Sequence, residues 1–185
     1  LSGTRDALVH NQPGLTRDRK EVDAKIGDLH FKLIDTAGME KAKKHSIEEL
    51  MMEQTMEAIE QADIILFTID GRDGLTAMDE HFAKTVRRIK KPKILVVNKC
   101  ENQRKAPGIA ESYRLGFGEP IAMSAEHGIG FGDLYDRIIE ESEKNFLDIN
   151  NEKETEKNDL TISIIGRPNA GKSTLFNALV GENRS

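Results

Sequence analysis

Residues 166–173, Gly166-Arg167-Pro168-Asn169-Ala170-Gly171-Lys172-Ser173, satisfy the pattern G-x-x-x-x-G-K-S/T. Immediately before them, residues 160–166 read LTISIIG, a β-branched apolar run suited to a strand covered on both faces. After them, Leu175, Phe176 and Leu179 fall at helical spacing. A buried strand, a glycine turn and a helix in that order admit few architectures. The glycines let successive backbone N–H groups turn inward at the positive end of the helix, which makes a cradle for phosphate. In such a cradle Lys172 brings its charge to β- and γ-phosphates and the Ser173 hydroxyl is placed to ligate Mg²⁺. Asn169, Ala170 and Thr174 complete the phosphate-binding stretch.

The rest of the chain alternates strand and helix. Residues 63–70 (DIILFTID) and 93–98 (KILVVN) are further buried-strand patterns. A helix over residues 77–90 is expected between them, with Phe82, Val86 and Ile89 on one stripe and Pro92 as its stop. Leu29, Phe31 and Leu33 alternate with polar residues in a half-exposed strand ending at Asp35. Ile47, Leu50, Met51, Ala58 and Ile59 share one helical face, with Met51 and Met52 as core filler. A strand is expected over residues 119–123 and a helix over residues 129–143. The pattern predicts an α/β fold, a three-layer sandwich in which helices cover both faces of a mostly parallel six-stranded sheet.

Two strand ends carry further chemistry. Asp35-Thr36-Ala37-Gly38 offers an acid that can hold Mg²⁺ through water and a Gly38 N–H that can sense a γ-phosphate. Alone, such a sequence is an ordinary turn. Asn98-Lys99-Cys100-Glu101 pairs an amide with a carboxylate, and Ser124-Ala125 follows the next strand. The N1 and exocyclic N2 donors of guanine need acceptors of that kind, and adenine lacks the donor pair. On its own this is a polar strand end, and the phosphate cradle is what lends it weight.

Taken together, these stretches resemble the translation-factor-type GTPases, and more narrowly the Der (EngA) family of bacterial proteins with two tandem G domains. The resemblance rests on PGLTRDRK (13–20), DTAGME (35–40), FTIDGRDGLTAMDE (67–80), NKCE (98–101), SAEHGIG (124–130) and GRPNAGKSTLFNALVG (166–181). It implies a P-loop NTPase fold, hydrolysis of GTP to GDP, and a cytoplasmic role in assembly of the large ribosomal subunit through its rRNA. It also implies that Thr16 is the switch threonine reaching Mg²⁺ and the γ-phosphate, with Lys172, Thr16 and Gly38 closest to the reaction. Met39 stands where many small GTPases carry a water-orienting glutamine. With Asn169 in the phosphate loop, that implies the subgroup in which K⁺ takes the part of an arginine finger, so slow hydrolysis faster in K⁺ than in Na⁺ is expected. Glu101 departs from the usual Asp, and its extra methylene is expected to weaken guanine affinity or discrimination. The competing readings are an ATP-using P-loop enzyme and a fragment that binds nucleotide without turnover or is inert.

The order of parts is unusual, because the phosphate loop comes last. The first residue is Leu1, not methionine, and residues 1–3 suggest a cut inside a longer protein. The expected layout is a G domain lacking its own phosphate loop (1–141), an acidic linker (142–159), and the strand, phosphate loop and first helix of a second G domain (160–185), one period of a tandem array. The missing strand belongs between the DTAG strand and the DIILFTID strand, and without it two edges stay open. Residues 160–166 can fill that slot, because an 18-residue linker extends to roughly 60 Å, against a domain radius of gyration near 16 Å, roughly. A circularly permuted G domain results, with a swapped dimer as competitor.

Charge narrows the partners. The net charge is −5, and residues 140–159 alone carry eight acids against three lysines, so the remainder is balanced. That argues against a body built mainly as a polyanion-binding surface, and no DNA partner is expected. The basic run at residues 87–93 is expected to complement a helix end in preference to binding RNA. One cysteine, Cys100, excludes an intrachain disulfide framework, and the longest apolar runs are too short to span a bilayer. Arg17, Asp18 and Arg19 are expected in a switch loop, and His127 in a loop with no second metal ligand spaced near it.

Overall fold

The computed structural model describes residues 21–34, 47–101, 106–149 and 159–181. Thr16, Asp35, Gly38 and Met39 lie outside the described residues, as do Arg17, Asp18 and Arg19. The strands are β1 (Glu21–Ile26), β2 (Leu29–Ile34), β3 (Ile64–Asp70), β4 (Lys93–Asn98), β5 (Ile121–Ala122) and β6 (Thr161–Ile165). The helices are α1 (Ile47–Gln61), α2 (Ala77–Arg87), α3 (Pro107–Ser112), α4 (Phe131–Ile149) and α5 (Lys172–Gly181).

One six-stranded sheet runs β1-β2-β6-β3-β4-β5, so the strand last in sequence is third in space. β6 pairs parallel with β2 (Leu33 opposite Ile162) and with β3 (Ile64 opposite Ile162, Phe67 opposite Ile165). Among the described strand pairings, only that of β1 with β2 is antiparallel. A strand inserted between two others must be apolar on both faces. In β6, Ile162 and Ile164 join the layer formed with Leu134, Ile138, Leu175 and Leu179, under α4 and α5. Ile165 joins the opposite layer with Ile59, Phe82, Ala83 and Val86, under α1 and α2. Burying these three isoleucines contributes roughly 5–9 kcal/mol of transfer free energy, as an upper bound. The backbone adds its own closure, with Lys32 N–H donating to Leu160 O and Asp63 N–H to Thr161 O.

Local chemistry fixes the element ends. α2 opens on a capping box, in which the Thr76 side chain and the Asp79 backbone and carboxylate satisfy each other. The basic run complements helix ends, as expected: Lys91 Nζ donates to Ile59 O, Glu60 O and Ala62 O at 2.7–2.9 Å, closing the C-terminus of α1. Lys93 Nζ reaches Ile89 O and Lys91 O, and burial lowers its pKa.

Several boundaries differ from the sequence reading. β1 and α3 were not expected. β5 is two residues long instead of five. α2 ends at Arg87, before the expected residue 90. α4 continues to Ile149, into the stretch read as linker, because Lys144 pairs with Glu140 and Glu141 along one helix face and Ser142 is buried.

Candidate functional site: a phosphate loop clasped by the ends of three strands

β3, β4 and β6 deliver their polar residues to the same edge of the sheet, the carboxyl ends of parallel strands where open α/β sheets bind ligands. The phosphate loop leaves β6 at Gly166, whose φ of 146° suits only glycine; a Cβ there would lie 2.1 Å from Thr68 O. At Gly171 (φ 88°) a Cβ would meet Asn98 Nδ2 at 2.2 Å. Asn169 takes a left-handed conformation between them (φ 64°) and Ala170 is fully buried. Lys172 Nζ donates to Arg167 O at 2.8 Å, folding the lysine back over its own loop. Ser173 and Thr174 are exposed on the first turn of α5.

Asn98 staples this loop to its neighbours. Its Nδ2 donates to Gly171 O (3.3 Å) and Ala170 O (3.5 Å), and its Oδ1 accepts from Lys99 N (2.8 Å) and Ala125 N (3.0 Å). The sequence reading gave the amide a share in recognising the base. In this structure its oxygen accepts from the backbone N–H groups of Lys99 and Ala125. Lys99 (φ 65°) bridges in the same way, with Nζ donating to Asn169 O (2.7 Å) and Asp70 Oδ2 (2.5 Å).

Asp70, the last residue of β3, is the pivot of this edge. It is 2 % exposed, and Oδ1 accepts from Arg72 N and Asp73 N. Burial pushes its carboxyl up, but Lys99 and the two amides outweigh that and hold it below the ordinary carboxylate range. Arg167 is the second residue that sequence alone did not assign. Its NH2 donates to Asp73 Oδ2 (2.9 Å) and its Nε lies 3.3 Å from Asp79 Oδ2, tying the phosphate loop to the β3–α2 connection. Asp79 is fully buried and its Oδ1 has no hydrogen-bond partner.

On the outer side, Glu101 accepts from Arg72 Nε (3.1 Å) and pairs with Arg72 NH2 (2.8 Å), while Ser124 Oγ lies 3.4 Å from Oε1. Burial pushes Glu101 up, and its own backbone amide and Arg72 bring it below the ordinary carboxylate range. The residue-124 loop is closed by reciprocal Ser124–Ile129 backbone bonds of 3.0 Å. His127 is a correction to the sequence reading: potential ligand atoms of Glu101 and Glu126 lie within 4.8 Å of it and of each other. The fold brings Glu101, distant in sequence, beside the consecutive Glu126 and His127. Cys100 is buried beside this edge, and burial followed by the Glu101 charge pushes its thiol up to about 11.

The described phosphate cradle fits a nucleotide phosphate: two glycines where no side chain fits, an inward-turning loop and a lysine lying across it. The fold and this site define a P-loop nucleotide-binding class, and the 50S ribosome-binding GTPase family model matches residues 1–99 and 161–185. The chain belongs to that family. Among curated proteins it is similar to GTPase Der of Azorhizobium caulinodans (49 % identical over 190 residues), of Bradyrhizobium sp. strain BTAi1 (48 % over 189) and of Rhodopseudomonas palustris strain TIE-1 (46 % over 191). Each match covers the whole chain but only 41–42 % of the relative's length. None of the described helices is long and apolar enough to cross a membrane.

Proposed function

We propose that this chain binds guanine nucleotides and hydrolyses GTP to GDP and phosphate. Support comes first from one arrangement: Asn98 and Lys99 hold the backbone of the phosphate loop with their side chains, so base-side and phosphate-side elements form one rigid edge. The family description and the relatives named GTPase Der favour GTP over ATP.

In this reading the backbone N–H groups of residues 169–174 surround the β-phosphate, and Lys172 gives up its bond to Arg167 O for the β- and γ-phosphate oxygens. The Ser173 hydroxyl, with Thr16 and Asp35, would hold Mg²⁺, which when bound neutralises phosphate charge during in-line attack by water. Asn169 would serve K⁺, Gly38 N–H would sense the γ-phosphate, and the Ser124-Ala125 loop with Glu101 would select guanine. The chain's own contribution is positioning and charge, and nothing in this set forms a covalent intermediate.

The domain layout belongs to the same proposal: a G domain over residues 1–141 completed by residues 160–185 of a second, within one polypeptide. Assembly of the large ribosomal subunit, carried out in the cytoplasm, is the process in which we propose the full-length protein acts.

Thermal stabilisation tests the reading. GDP with Mg²⁺ at 100 times its Kd should stabilise the chain by about 2.7 kcal/mol. ADP should do nothing at the same concentration, and Lys172→Ala should lose most of the shift. Equal shifts with ADP would favour the ATP-using alternative, and no shift with either would favour the inert fragment. Equal GTPase rates in K⁺ and Na⁺ would remove the K⁺ assignment.

A further inference from the structure

Arg72 is used by nothing in the phosphate chemistry, yet it is tightly held at its base. Its N–H donates to Asp70 Oδ1 at 2.8 Å, and the preceding Gly71 N–H donates to Asn98 O at 2.7 Å. The side chain is 60 % exposed and directs Nε and NH2 onto the two oxygens of Glu101, 3.1 and 2.8 Å away. This is the bidentate fork by which the Nε side of a guanidinium meets a carboxylate. The N1–H and N2–H edge of guanine presents the same N–C–N pair of donors at the same spacing. A carboxylate has one end-on face, so the two forks cannot both occupy it.

We propose that Arg72 is an intramolecular stand-in for the guanine edge, and that base binding exchanges the Arg72 fork for the guanine fork on Glu101. The inference rests on the base-site reading above. Arg72 has somewhere to go. Glu126 is exposed, with a carboxylate oxygen within 4.8 Å of that of Glu101, and a swing of the exposed guanidinium carries it from one acid to the other. The Arg72 guanidinium also feels the Glu126 charge, so a cation at this spot offsets the repulsion between the two neighbouring carboxylates. Arg72 therefore sets the affinity threshold for nucleotide, since every binding event first breaks its ion pair.

The test is equilibrium binding of GDP and IDP (which lacks the N2 donors) to the chain and its variants, with melting temperatures confirming that each variant is folded. Arg72→Ala should tighten GDP by about two- to fivefold, because an exposed pair of modest strength no longer competes. IDP should gain less. Arg72→Lys, which keeps the charge but loses the fork, should tighten GDP as well. In a Glu101→Gln background, Arg72→Ala should change GDP affinity by less than about twofold, since the pair is already broken. If wild type prefers GDP to IDP but Arg72→Ala binds GDP equally or more weakly, the exchange is wrong and the base site stands. If wild type does not distinguish GDP from IDP, Glu101 does not read the base and both inferences fall.

Discussion

Asn98 shows how much one side chain does at this edge. It joins the phosphate loop to the residue-125 turn through both ends of its amide, and it is 2 % exposed. Asn98→Ala leaves buried backbone groups unpaired, and a loss of about 2–3 kcal/mol in stability is expected. Denaturant unfolding measures that directly, and nucleotide affinity should fall with it. Asp70 predicts a pH dependence. Its folded pKa is depressed, so its stabilisation is complete above the unfolded value and disappears as pH falls through the folded one. Asp70→Asn should therefore lower Tm by about 3–8 °C at pH 7, and the gap should begin to narrow below about pH 4 and shrink further as pH falls. Cys100, with a thiol near 11, has a thiolate fraction at pH 8 of roughly one in a thousand. It should resist iodoacetamide until the protein unfolds, and rapid labelling of the native chain would contradict its burial. The glycines and lysine of the phosphate loop were legible because local backbone geometry dictates them. Asp70, Arg72 and Arg167 were not, since their partners lie 29 to 94 residues away in sequence.

Among the elements, legibility followed burial. β3, β4 and β6 are covered on both faces and announce themselves as unbroken apolar runs. β1 escaped because EVDAKI buries only Ala24 and Ile26, and its signal lies in the Gly27-Asp28 turn that makes it a hairpin with β2. α3 has six residues and no stripe to read. The extension of α4 was hidden by composition: a Glu- and Lys-rich segment reads as linker until its charges are seen to pair along one face. β6 itself is the element most open to test. Ile164→Ala should cost about 2–5 kcal/mol, as for a core strand, and a value under 1 would mean that the strand is not seated. Arg167→Ala removes the cation beside the buried Asp79 carboxylate, leaving it only its Thr76 hydrogen bonds, and should cost about 3 kcal/mol. Adding Asp79→Asn should recover part of that, because the uncompensated charge is then gone, and the same unfolding experiment reads both.

For the whole molecule, the strand order β1-β2-β6-β3-β4-β5 makes the chain's last strand a central one. A central strand cannot be lost without opening two edges and both helical layers, so residues 21–34, 64–98 and 161–181 should unfold in one cooperative transition. A transition of residues 161–181 separate from that of the other two segments would contradict a shared core. With α4 ending at Ile149 and β6 starting at Thr161, the short connection keeps the effective concentration of β6 near the rest of the sheet on the order of mM, which favours closure within one chain over exchange between two. Micromolar samples should elute as monomers.

The most direct test is nuclear Overhauser contact across β6 in two samples, one uniformly labelled and one mixing differently labelled chains. Contacts from Ile162 to Leu33 and to Ile64 are expected in the first, with none between chains in the second. Absence of those contacts, or their appearance between chains, would contradict a nucleotide pocket rebuilt by one polypeptide from its own two ends.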